Sequence, residues 1–120
     1  MALASTTASN QALDALSGGT TNVLAFVSLH TASPSTTGAN ENASSGGYAR
    51  QSCSWNAASS GTKTNSSSLT FTTANTTAVT HFGTFSASSS GTYGIGGALA
   101  SSVTAATITI AAGALSLGAS

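Results

Sequence analysis

Between residues 48 and 55 the chain alternates, and this two-residue period narrows the folds open to it more than any other feature. Ala49, Gln51, Cys53 and Trp55 fall on one side of an extended strand, and Tyr48, Arg50, Ser52 and Ser54 on the other. Comparable short runs follow along the sequence, separated by Gly- and Ser-rich turns. Residues 22–30 (NVLAFVSLH) are nearly continuous in apolar side chains and predict a strand buried on both faces. Residues 63–73 place Leu69 and Phe71 together, and residues 78–85 lead into the turn 88–91. Residues 93–100 and 104–110 come next, the latter with Ile108 and Ile110 together, and Leu115 and Leu117 alternate once more. Six or seven short strands in this rhythm predict an all-β fold, a single β-sandwich or jelly-roll-like domain. The abundant threonine suits a pleated surface because its β-branch packs there.

One helix is expected, over residues 8–16, where Leu13 and Leu16 lie three apart on one face. Ser5 or Thr6 would cap its start, and Gly18–Gly19 would end it. Its apolar stripe is too narrow to form a core, so residues 1–19 read as a docking segment on a β domain at 22–118. A long loop at 31–47 carries the only proline, Pro34, and loops of that length usually serve a function or a contact.

Charge is scarce. Of 120 residues only Asp14, Glu41, Arg50 and Lys63 are charged, 3% of the chain against about 25% in an ordinary soluble domain. Net charge is zero, so the repulsion that keeps most monomers apart is missing. A Ser, Thr, Gly and Ala surface of this kind suits a protein packed among copies of itself. Two isolated basic residues cannot displace counterions from phosphates, nor draw the chain to an anionic membrane, so neither nucleic acid nor membrane is expected as a partner. The first residues lack the basic and apolar regions of a secretory leader, and no apolar run reaches membrane-spanning length. Cys53 stands alone, without an internal disulfide partner, and reads as a small buried hydrophobe.

Candidate chemistry is thin. His30 and His81 have only Cys53, Asp14 and Glu41 as potential co-ligands, at no recognisable metal spacing, and each is expected to hydrogen-bond at a strand end. Ser, His and Asp are present, but without a G-x-S-x-G elbow. Asp14 and Glu41, in a helix and a loop, have no fixed separation for glycoside cleavage. No catalytic residue, metal or cofactor is therefore expected. The glycines of GTYGIGGAL lack a following helix and predict close approach of another backbone, that of a neighbouring subunit. Trp55 shares its face with Cys53 and reads as core. Tyr48, opposite it and beside Arg50, reads as an exposed contact, as does Tyr93. Arg50 is expected to pair with Glu41 across the loop, or with a carboxylate on a partner.

Several segments together resemble a family of short virion proteins of tailed phages and prophages, often labelled tail fibre or minor tail protein. They are NQALDAL, VSLHTASPSTTGANE, GGYARQSCSW, SSLTFTTANTTAVTHFGTFSA, GTYGIGGAL and TITIAAGALSL, in matching order along nearly the whole chain. The resemblance implies a multimeric, non-enzymatic β component of the virion, on the tail or as a decoration of the capsid. The expected partners are copies of itself, as trimers, and other virion proteins of the tail or capsid. A carbohydrate- or receptor-binding domain carried on the tail is the alternative. Leu13, Leu16, Glu41, Tyr48, Arg50 and Tyr93 are the candidate contact residues.

Overall fold

A computed structural model describes residues 6–18, 22–42, 45–74 and 76–118. The protein is β-rich and antiparallel, with one short helix. Helix α1 (Thr6–Gly18) stops at a glycine, as expected; Ser5 and Gly19 lie outside the described residues. The strands are β1 (Phe26–His30), β2 (Gln51–Ser52), β3 (Thr62–Thr64), β4 (Leu69–Thr72), β5 (Val79–Phe85), β6 (Tyr93–Val103), β7 (Thr107–Ile110) and β8 (Ser116–Gly118).

Four of these make one sheet in the order β2-β1-β5-β6. The others form two antiparallel ribbons, β3 with β8 and β4 with β7. A two-stranded ribbon is marginal alone in water, so its apolar face must be covered. Here Leu69, Phe71, Ile108 and Ile110 of one ribbon and Leu117 of the other join Val27, Leu29 and Phe82 of the sheet in a common core. Period two decides which residues take part. Val27 and Leu29 lie opposite Thr84 and Phe82 on the core face, while Phe26, Ser28 and His30 lie opposite Phe85, Gly83 and His81 on the other.

Helix α1 closes one side of the core with Leu13, which is buried, while Leu16 packs at the margin. The surface it docks on belongs to its own chain. Lys63 Nζ donates to Asp14 Oδ1 at 2.7 Å, Ala58 N to the same oxygen at 2.9 Å, and Gly61 N to Asn10 Oδ1 at 2.9 Å.

Several expected strands are shorter than their patterns suggested, and two of the breaks have a polar cause. Residues 22–25 form a turn because Asn22 Oδ1 accepts from Leu24 N at 3.0 Å. The 63–73 run divides into β3 and β4 at Asn65, a fully buried amide. Its Nδ2 donates to Ser67 and Ala111 carbonyls, and its Oδ1 accepts from Leu115 N at 2.9 Å, so it pins the β7–β8 connection. The 48–55 run forms a strand only at Gln51–Ser52, with Trp55 making an isolated bridge to Asn65. Glycines of β6 are approached closely within the chain: a Cβ on Gly94 would lie 2.6 Å from Thr84 Oγ1 and Val23 O, and one on Gly96 2.7 Å from Phe82 O and the Pro34 ring.

Candidate functional site

The face of the four-stranded sheet turned away from the main core is covered by the segment 31–42 and by Arg50. In the β1–β5 register His30 and His81 are opposite, and Phe26 and Phe85 are opposite. Phe85 is the hub of this face. It stacks parallel to His30 at 6.4 Å and meets Tyr93 edge-on at 5.4 Å. The Arg50 guanidinium lies 3.5 Å from its ring centroid, a cation–π contact. Gly38 fits against both Phe85 and Tyr93, where any Cβ would clash and where its φ of +77° favours glycine.

Arg50 ties three pieces of chain together. Its Nε and Nη2 donate to Glu41 Oε2 and Oε1 at 2.9 and 2.8 Å, a bidentate pair. Its Nη1 donates to the carbonyls of Ala87 and Ser90, at 3.0 and 2.7 Å, in the turn between β5 and β6. That turn carries two consecutive left-handed residues, Ser90 and Gly91. Glu41 Oε2 also accepts from the Tyr48 hydroxyl at 2.8 Å, and that hydroxyl accepts from Leu29 N at 3.0 Å. Leu29 N lies on the edge of β1 that β2 is too short to reach, so the tyrosine supplies the missing ladder partner. Burial alone would push the Glu41 carboxyl up, but the hydrogen bonds from Arg50 and Tyr48 outweigh it and hold it below the usual carboxylate range. Burial also pushes the Tyr48 hydroxyl up, and Cys53, half-buried, is pushed up to about 11.

Four of the six candidate contact residues, Glu41, Tyr48, Arg50 and Tyr93, thus gather around Phe85 and the 31–42 segment. Leu13 and Leu16 belong to α1. The expected pairing of Arg50 with Glu41 forms within the chain. The expected exposure of Tyr48 does not hold: the ring is only 8% exposed, stacks on Phe71 at 6.4 Å and belongs to the core. Gly46 and Gly47, both with positive φ, turn the chain just before it, so Tyr48 enters the interior before the strand begins. Trp55 packs at the core margin and donates Nε1 to Leu24 O at 2.8 Å.

Of this face nothing in the sequence marked Gly83, while both histidines were expected to hydrogen-bond at a strand end, as His30 does at the end of β1. His30 is fully buried, with Nδ1 2.7 Å from Ala39 O and Nε2 2.7 Å from Ser28 Oγ. Gly83 makes room for it, because a Cβ there would stand 2.7 Å from His30 Nε2. His81 lies inside β5 rather than at a strand end, its Nδ1 2.7 Å from Thr80 Oγ1. Among the described residues no three His, Cys, Asp or Glu side chains gather as a metal site would require. Beside the Arg50–Glu41 pair a cleft of about 320 Å3 opens between Asn42, Tyr48 and Ser88–Ser90.

A family model described as podophage GP4 fiber I protein gp80 matches residues 3–118. No curated protein matches the chain.

Proposed function

The chain belongs to the family of the podophage GP4 fiber I protein gp80, and from that premise we propose that it is a non-enzymatic structural component of a phage tail fibre, present as several identical copies. The observation that supports self-association is the fate of its charges. All four charged side chains are used internally, Arg50 with Glu41 and Lys63 with Asp14. Asp14 is exposed but matched by Lys63, the rest of the exterior is mostly Ser, Thr, Gly, Ala and Asn, and copies can approach with little like-charge repulsion. Repeated neutral contacts then add by avidity, with trimers as the expected closed unit and neighbouring virion proteins as the other partners. The fibre description of the family favours the tail over capsid decoration.

A phage in which this gene carries a stop codon tests the reading. The expected particles have filled heads but lack a fibre when viewed by electron microscopy, and supplying the gene in trans restores it. Complete fibres on the mutant particles would contradict it. Normal fibres together with heads that burst on heating would assign the protein to the capsid instead.

A further inference from the structure

We propose that residues 31–42 form a strap over His30 that protonation of this ring releases, uncovering Phe85 and Tyr93. One backbone bond ties the strap to β1, Asn42 N to Leu29 O at 2.8 Å, and Thr31 N to Asn40 O at 3.0 Å closes the base of the strap. Between them, Gly38 and Ala39 amides both donate to Pro34 O, and the buried Pro34 ring rests over Gly96. From the sheet, His30 reaches up to hydrogen-bond the strap's centre at Ala39 O, beside Phe85 and Tyr93, which pack against Gly38.

The hydrogen bonds fix the state of the ring. A carbonyl oxygen only accepts, so Nδ1 carries a proton toward Ala39, and in the neutral ring Nε2 is bare and accepts from the Ser28 hydroxyl. A second proton, on Nε2, would face Ser28 Oγ, whose own hydrogen would have to turn elsewhere in a site where Ser28 is itself fully buried.

Every neighbouring element contributes a group to the balance. Glu41, on the strap, attracts a proton to the ring, but its charge is matched by Arg50 in the bidentate pair. Arg50, from the segment before β2, and His81, opposite on β5, both repel it. Tyr93 from β6 meets Phe85 and also faces the His30 ring across Gly83, while Tyr48 is linked to it through Glu41. Burial is the largest influence and holds His30 below its ordinary range, so the charged ring is accommodated when the strap lifts and water enters. A proton that binds the lifted state better than the closed one shifts the population toward it. The sign follows: the closed strap is fully favoured above the ordinary histidine value of 6.5 and loses stability as pH falls below it.

Amide hydrogen exchange of the full chain at pH 7.5 and 5.0, corrected for the intrinsic effect of pH on exchange, tests this. The amide of Asn42, whose bond to Leu29 O crosses from the strap to β1, should lose protection severalfold at the lower pH. Amides of the β4–β7 ribbon should keep theirs. His30→Gln should abolish the response and His81→Gln should keep it. Equal strap protection at both pH values, equal loss in the ribbon, or an unchanged response in His30→Gln would overturn the proposal. If His30→Gln does not fold, the wild-type ring is followed by NMR. A His30 that titrates without any accompanying shift of the strap amides would overturn it equally.

Discussion

Removing one oxygen from Tyr48 isolates what its hydroxyl contributes. The ring of Tyr48→Phe should still stack on Phe71, but Leu29 N loses its acceptor and Glu41 loses a donor. A buried amide without a partner costs about 1–3 kcal/mol, so urea unfolding should show a loss of that size with an unchanged m-value. Arg50→Lys asks a different question. An ammonium keeps the charge but cannot grip Glu41 at two points while holding the Ala87 and Ser90 carbonyls. The expected loss is about 1–3 kcal/mol, with faster amide exchange confined to the turn 86–91; a neutral result would show that the guanidinium fork is dispensable. The Arg50–Glu41 pair was legible in the sequence because a lone arginine in a nearly uncharged chain has few alternatives. Tyr48 was misread because alternation alone places it opposite Trp55, whereas the Gly46–Gly47 turn that redirects it depends on backbone angles the pattern does not encode. Asn65 and Gly83 gave no signal, since a buried asparagine and a turn asparagine, or a tight glycine and a loose one, are spelled alike.

Helix α1 owes its place to tertiary packing. Thirteen residues with two leucines are marginal as an isolated helix, so docking through Leu13 and the Asp14–Lys63 pair must supply its stability. Leu13→Ala should destabilise the whole fold by about 2–5 kcal/mol in chemical unfolding, because the cavity would open between the helix and the β3–β8 ribbon. A much smaller loss, with only the helix melting, would mean that α1 is an appendage. At this scale the sequence was most readable where apolar residues are large. Leu69 with Phe71, Ile108 with Ile110, and Leu115 with Leu117 all marked real ribbons or their flanks. Strand ends were less readable, because in a chain so rich in Ser and Thr polarity does not distinguish an exposed strand position from a turn. Which strands pair was not readable at all: β3 and β4 are adjacent in sequence yet join β8 and β7, a choice made by long-range packing.

For the whole molecule, neutrality and internal pairing set how stability responds to solution conditions. Glu41 sits below its ordinary range and His30 below its own, so both favour the folded state above those ranges and withdraw that support as pH falls. Cys53 and Tyr48 are raised, so their support is complete at neutral pH and is lost as pH climbs from about 9, the ordinary thiol value, toward 11. Thermal midpoints should therefore form a plateau between about pH 7 and 9 and fall on either side; a maximum near pH 5 would refute this assignment of the titrating groups.

The family match and the neutral exterior converge on a virion role, and the amount of this chain in purified particles tests it most directly. Quantitative mass spectrometry against the major capsid protein should find a few to some tens of copies per particle, the number a tail fibre requires. A ratio approaching one per capsid subunit would contradict placement on the tail, and absence from the particle would contradict the structural role altogether.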